Sequence, residues 1–384
     1  MGNNRLLGGL FLIAMCLAGC AARAGDAAGS PVPSLYSATH TPFLPADNTP
    51  TSVFASDTPA STVPTSSEST VFALTGTPTP SRKVNLEAVG DIMLARTVSE
   101  QVQALGPEIV FAGVQSVFDS ADVLIGNLEC ALTAMGEQQP KTYAFAAPPE
   151  AAQSLALAGF DVLSLANNHA MDYGIEGLFD TRIILRQYGI ASLGAGANAA
   201  EAHAPVFLER NGLRLAFLAY VDVPGEITGF DAHTWVATYT QPGIAWADLD
   251  QITADVTAAK DQADVVIVQL HAGYEVGTYI PAISSVQQAA AHAAIDAGAA
   301  LVVGSHPHIL QTIERYHDGL IAFSLGNFVF DDYEGIANAT LILRVVMTPA
   351  GVQSYDWVPV LIINGLPVIT SIDSARGIET LVAP

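Results

Sequence analysis

The sequence predicts an α/β domain, and three observations predict it. From Arg82 onward, short runs rich in Val, Ile and Leu recur along the chain. Stretches with helical spacing separate them and stop at glycine, the alternation that α/β proteins show. Half of the 384 residues are apolar, so a sizeable core is available for one large domain over 82–384.

The chain opens differently. Met1 to Gly19 carries Arg5 and then an apolar run, Leu6 to Leu17, too short to serve as a permanent membrane span. It reads as a signal peptide over 1–19. Leu17-Ala18-Gly19-Cys20 resembles the bacterial lipobox, in which Cys20 is acylated and becomes the mature N-terminus. An uncleaved membrane helix would need more apolar length than Ala21, Ala22 and Arg23 supply. Residues 20–81 then form a Ser/Thr/Pro-rich disordered tether, with no Lys or Arg between Ala24 and Ser81. Its flexible reach is roughly 40 Å, from about 5–6 Å times the square root of its length. These features predict an exported, membrane-anchored lipoprotein on the outer face of the bacterial cytoplasmic membrane or cell surface.

Charge and cysteine content exclude several classes. The formal net charge of -23 argues against nucleic acid and against broad contact with polyanions, which attract basic patches. An anionic substrate must then be held locally, for example by a metal. Beyond Cys16 and Cys20 only Cys130 remains, so no disulfide framework forms within one mature chain. Cys130 reads as a small buried residue rather than a nucleophile.

Five apolar runs place the candidate chemistry. Val84–Val89 leads into Gly90-Asp91, and Val123–Ile125 into Gly126-Asn127-Leu128-Glu129. Val162–Ala166 leads into Asn167-Asn168-His169, Val265–Leu270 into His271, and Ala300–Val303 into Gly304-Ser305-His306-Pro307-His308. Each run delivers a metal-ligand type at its carboxyl end, the edge where open α/β sheets bind ligands. The intervening helices are Pro149–Ala158, closed by Gly159; Ile175–Tyr188, with apolar residues at 175, 178, 179 and 183; and Gln287–Ala297, closed by Gly298.

Of nine histidines, His40 lies in the tether. His203, His233, His292 and His317 fall in loops or on a helix face without a polar cluster beside them. His169, His271, His306 and His308 all follow apolar strands, and His306-Pro307-His308 projects two imidazoles from one turn, a spacing suited to two adjacent metal positions. Asp91 and Glu129 taken singly fit a helix cap or a turn equally well. Asn167-Asn168 fits a turn, and also supplies a neutral amide oxygen suited to a hard or borderline cation.

In order, Gly90-Asp91-Ile92-Met93-Leu94-Ala95-Arg96, Asn127-Leu128-Glu129, Asn167-Asn168-His169 with Asp172 and Gly174, His271-Ala272-Gly273-Tyr274-Glu275, Gly304-Ser305-His306-Pro307-His308 and Ser324-Leu325-Gly326-Asn327-Phe328 resemble the CapA family. That family is named for capsule and poly-γ-glutamate synthesis, and the likeness runs from about Val84 to Asp331. CapA proteins in turn look like calcineurin-type metallophosphatases. The resemblance implies a metallophosphatase-like β-sandwich flanked by helices, with a metal centre at the strand ends.

Carried over residue by residue, it makes Asp91 the first-motif aspartate, Glu129 the bridging carboxylate and Asn168 the metal-binding asparagine. His169 becomes the histidine assisting the leaving group, and His271, His306 and His308 the later metal histidines. Glu275 has no phosphatase counterpart, and a role orienting His271 fits it. Two departures stand out. Met93 occupies the position of a phosphatase histidine, which leaves the first metal position with Asp91, Glu129 and His308. Ala272 replaces a common aromatic residue, which implies a more open pocket wall.

The expected cofactor is a divalent metal ion, with Mn, Zn or Fe fitting: one held tightly by Glu129, Asn168, His271 and His306, and a second held more weakly. The expected function is a metal-dependent hydrolase-like enzyme acting on a cell-envelope polymer or its precursor, a γ-glutamyl amide or a phosphate ester. Hydrolysis and bond formation both fit these residues. The rival reading is a non-catalytic accessory that binds the polymer or a membrane-bound synthase and keeps the metal as a structural staple.

Overall fold

The computed structural model describes residues 82–226, 229–275, 282–331 and 335–371. All of them fall within one compact unit. The signal peptide and tether expected over 1–19 and 20–81, Cys20 included, lie outside the described residues.

Two sheets dominate. The first contains β1 (Val84–Ile92), β2 (Val123–Leu128), β3 (Val162–Ser164) and β4 (Ala191–Leu193). The second contains β5 (Val206–Arg210), β6 (Leu213–Asp222), β7 (Val265–Ala272), β8 (Leu301–Ser305), β9 (Ile313–Tyr316) and β10 (Gly319–Ala322). The chain then returns to the first sheet with β11 (Asn327–Val329), β12 (Ala339–Thr348), β13 (Gly351–Ile363) and β14 (Leu366–Ile369). The first sheet runs β14-β13-β12-β1-β2-β3-β4, with β11 also paired to β1, and the second runs β9-β10-β8-β7-β6-β5. β1 to β4 are mutually parallel, as are β6, β7, β8 and β10.

Period-two alternation decides what each face of the second sheet meets. Leu213, Leu215, Phe217, Ala219 and Val221 on β6, with Val265 and Ile267 on β7, join the core shared with the first sheet. Their neighbours Ala216, Leu218, Tyr220, Val266 and Val268 pack with Ile252, Val256, Ala290, Ala291 and Ala294. Those residues belong to helices α1 (Leu249–Lys260) and α2 (Ser285–Asp296). The result is the expected sandwich with helices outside it. Burying one Phe or Leu contributes about 1.5–3 kcal/mol, so this doubly covered sheet supplies much of the stability.

Alternation also corrects one expectation. His271 faces the space between the sheets, so Ala272 faces the helices; it is fully buried there and is not among the described residues that line the cavity beside the site. The helix expected over 175–188 is present and spans Gly174–Gln187. It buries Leu178, Thr181, Ile184 and Leu185, while Ile175 and Ile183 are 41% and 42% exposed. The Thr181 hydroxyl accepts the backbone N–H of Leu132 at 2.8 Å, which satisfies this polar side chain on the buried face.

The strand ends need close backbone approach. A Cβ on Gly90 would stand 1.8 Å from the Gly326 carbonyl oxygen, and one on Gly304 1.9 Å from that of Phe323. Glycine before Asp91 and before Ser305-His306 therefore lets neighbouring backbone pack beside both strand ends.

Candidate metal centre

Strand register assembles the site. Asp91 on β1 stands beside Asn127 on β2 and Asn327 on β11, and His271 on β7 beside Ser305 on β8. Glu129 follows β2, Asn167-Asn168-His169 follows β3, and His306-Pro307-His308 follows β8. The two sheets thus aim their carboxyl ends at one point. His306 and His308 hold φ of +96° and +57°, backbone that non-glycine residues rarely adopt. Strain of this kind, about 1–3 kcal/mol per residue, persists where the surrounding packing enforces it and clusters at functional sites.

The donor atoms lie close together. His271 Nε2 is 2.9 Å from Asn168 Oδ1, 3.1 Å from His306 Nδ1 and 3.6 Å from Glu129 Oε1. Asp91 Oδ2 is 3.5 Å from His308 Nδ1, and Asp91 Oδ1 is 3.7 Å from His271 Nδ1. Glu129 belongs to both donor groups whose atoms all fall within 4.8 Å of one another: Glu129, His306 and His308; and Asp91, Glu129 and His271.

Four ligands at about 2.1 Å from a tetrahedral ion stand roughly 3.4 Å apart, and neighbouring ligands of an octahedral one roughly 3.0 Å. The spacing around His271 brackets these values. One Nε2 cannot both donate its single hydrogen to Asn168 and serve the facing nitrogen of His306 as well. A cation between the donors would use all their lone pairs at once.

Polar satisfaction points the same way. Both carboxylate oxygens of Glu129 and the Nε2 of His306 are buried without a hydrogen-bond partner. Such groups usually cost about 1–3 kcal/mol each, and charged ones more. Burial pushes the Glu129 carboxyl well up, and the nearby Asp91 and Glu275 charges push it further. Burial also raises Asp91, against the pull of His308, the Asn127 amide and the His306 N–H. His271 and His306 are held well down, first by burial and then by neighbouring cationic groups, so both imidazoles stay neutral. Neutral imidazoles beside carboxylates that lack a counter-charge are a donor set that fits a divalent cation.

Surrounding residues aim the ligands. His308 Nδ1 donates to Asn327 Oδ1 at 2.8 Å, leaving Nε2 as its lone-pair nitrogen. Asn127 Nδ2 donates to Asp91 Oδ1 at 2.8 Å, and Asn127 Oδ1 accepts from Asn167 Nδ2 at 3.0 Å. His271 Nδ1 meets Ser305 Oγ at 2.9 Å and Asn127 Nδ2 at 3.2 Å. The orienting role expected of Glu275 therefore falls to Ser305 and Asn127, while Glu275 is exposed on a cavity wall.

His169 is set apart from the donors. Its Nδ1 donates to Asp172 Oδ2 at 2.7 Å, its ring stacks on Phe145 with centroids 4.4 Å apart, and its Nε2 lies 4.0 Å from Glu129 Oε1. Burial lowers its pKa, with Asp172 opposing and Lys141 reinforcing the shift. Met93 is buried with its sulfur 3.2 Å from the N–H of Ala95, its own turn. Cys130 accepts the Leu94 N–H at 3.4 Å, and burial raises its thiol to about 12, so it is inert.

Asp91, Glu129, Asn168, His169, His271, His306 and His308 are thus brought together. The other described histidines sit elsewhere: His203 on Asp255, His292 beside Glu314, His317 beside Asp296 and His233 against Trp246. Lys141 gave no signal in sequence, lying in a polar loop outside any periodic stretch. Asp172 and Asn327 stand in recognisable motifs, but nothing local reveals their partners. A cavity of about 440 Å³ opens onto Asn168, His169 and His306, and Tyr143, Phe230, Tyr274 and Glu226 help to wall it.

Residues 85–332 match the family model described as bacterial capsule synthesis protein PGA_cap. The chain is 34% identical over 306 residues to the capsule biosynthesis protein CapA of Bacillus anthracis, covering 77% of this chain and 72% of that one. It is 33% identical over 291 residues to the PGA biosynthesis protein CapA of Bacillus subtilis, covering 75% and 74%. A probable polyglutamine synthesis accessory protein of Mycobacterium tuberculosis is 35% identical over 225 residues, covering 56% and 57%.

Proposed function

The chain belongs to the bacterial capsule synthesis family PGA_cap, and from that premise we propose that it acts in capsule or poly-γ-glutamate synthesis or processing as a metal-dependent hydrolase-like enzyme. One observation carries the enzymatic part. The unpartnered Glu129 carboxylate and the Asn168, His271 and His306 donors meet beside a cavity rather than inside a closed core. A structural metal would be sealed by protein ligands, whereas a catalytic one keeps a side open.

Glu129, Asn168, His271 and His306 would hold the tighter ion, and Asp91 and His308 would join Glu129 at a weaker second position. A bound divalent cation of the Mn, Zn or Fe type supplies Lewis acidity and acidifies water. His169, fixed by Asp172, presents Nε2 to hold a proton or a hydrogen bond against the departing group. Among the described residues the cavity lining contains no Lys or Arg, so an anionic chain end would be gripped at the metal centre. The lipid anchor at Cys20 and the tether over 20–81 would keep this site near the outer membrane face, within reach of the growing polymer and its synthase.

The test joins elemental analysis with turnover. The purified chain should retain a divalent metal and cleave a γ-glutamyl peptide or a phosphate ester, with activity lost on chelation and restored by metal. Metal retention without turnover of either class would favour the non-catalytic accessory reading.

A further inference from the structure

Lys141 is buried to its tip, with a side-chain exposure of 0%. Its ammonium has three hydrogens and no acceptor capacity. Nζ lies 2.6 Å from the Asn168 carbonyl oxygen, 2.9 Å from Asp172 Oδ1 and 3.6 Å from Glu226 Oε1. The faces of Phe230 and Trp235 close over it at 4.7 and 5.3 Å. The ammonium donates to the Asn168 carbonyl and sits in ion-pair range of Asp172 and Glu226, and Phe230 and Trp235 cover it, so this cation is enclosed by protein groups rather than offered to the cavity. It grips the backbone of one metal-ligand residue and the carboxylate that fixes His169.

Its loop is tied to the same turn from two further points. The Gln139 N–H donates to the Asp172 carbonyl at 2.8 Å, and the Phe145 N–H donates to Asp172 Oδ2 at 2.6 Å. His169 Nδ1 stands 3.5 Å from Nζ and 2.7 Å from Asp172 Oδ2. An ammonium cannot accept a hydrogen, so Nδ1–H is directed to Asp172 and Nε2 faces Glu129.

We propose that Lys141 is a positioning residue: its ammonium locks the 168–172 turn in the shape that aims the Asn168 amide oxygen at His271 and His169 Nε2 at Glu129, and ties that turn to the cavity wall at Glu226. This rests on the metal-site reading above for its consequence, though not for its geometry. A buried salt bridge with only a structural role would set stability alone. A positioning role also sets metal affinity and the imidazole tautomer of the folded protein.

The experiment compares the full-length chain with Lys141→Met, Asp172→Asn and the double variant after chelator treatment. Zn²⁺ affinity is read by calorimetry, and the His169 tautomer by nitrogen-15 NMR of histidine-labelled protein. In folded Lys141→Met, Zn²⁺ affinity should fall about tenfold to a hundredfold, the usual effect of losing a group that supports a ligand. His169 should lose its single Nδ1–H tautomer. The double variant should bind no worse than Asp172→Asn, because the two residues act as one unit.

Folded Lys141→Met with wild-type Zn²⁺ affinity and an unchanged His169 signal would overturn the proposal. If that variant does not fold, lysine-labelled wild-type protein decides: the Lys141 Nζ resonance should shift on Zn²⁺ addition, and an unmoved resonance overturns the assignment. Should the wild-type chain take up no Zn²⁺, the metal reading fails by itself, and the His169 tautomer in Lys141→Met still decides the role of Lys141.

Discussion

Glu129→Gln should stabilise the metal-free protein while abolishing its response to metal. Both Glu129 oxygens are buried without a partner, and burial together with Asp91 and Glu275 raises its carboxyl well above the ordinary range. An unsatisfied buried group costs about 1–3 kcal/mol, more when charged, and a neutral amide of the same shape can donate to an unprotonated imidazole beside it. The sign with pH follows from the raised folded-state value. The contribution of Glu129 to stability is complete below its unfolded pKa near 4.5 and is lost as pH rises toward the folded value. The advantage of Gln should therefore be small near pH 4 and grow as pH rises above 4.5 in chelator, to at least about 1–3 kcal/mol. At about 2–4 °C per kcal/mol, thermal melts resolve that difference. Metal at about a hundred times Kd should add about 2.7 kcal/mol to the wild type and almost nothing to the variant. Apo Glu129→Gln no more stable than apo wild type at pH 8, or still stabilised by metal, would refute the reasoning.

Three other outcomes are expected. His271→Ala or His306→Ala should empty the protein of dialysis-resistant metal, whereas His308→Ala should weaken only a second equivalent, because the Met93 sulfur turns to the Ala95 N–H; elemental analysis showing two equally retained metals per chain would contradict this ranking. Glu87, raised to about 7 by burial against the pull of Ser120 and Arg344, should make the protein less stable as pH rises from 4.5 through 7, and Glu87→Gln should flatten that slope in denaturant titrations. Cys20→Ala should move the protein from the detergent phase to the aqueous phase of a detergent partition; unaltered partitioning would falsify the anchor.

Much of this site was legible in the sequence because its candidate donors follow apolar runs. A strand buried on both faces reads as a continuous Val/Ile/Leu stretch, so its end, and the residue type found there, can be read locally. The strand-end placement of Asp91, Glu129, Asn168, His271 and His306 was legible for that reason. Helix phase was less so. Of the four apolar positions of the 174–187 helix, Leu178 is buried while Ile175 and Ile183 are exposed, and Thr181, which accepts the Leu132 N–H, lies on the buried face.

By itself, then, the sequence determined the α/β class, the order of the strand ends that carry the candidate donors, and the net charge of -23. Tertiary structure alone decided which donors face one another and which residues aim them. Lys141 approaches Asn168, Asp172, Glu226 and Phe230 across separations that no local pattern encodes, and Ser305 rather than Glu275 meets His271 because strand register sets them side by side. The physical reason is that periodicity reports only the face a residue turns toward the core. Pairing depends on sheet register and chain crossings, and these follow from the packing of the whole domain.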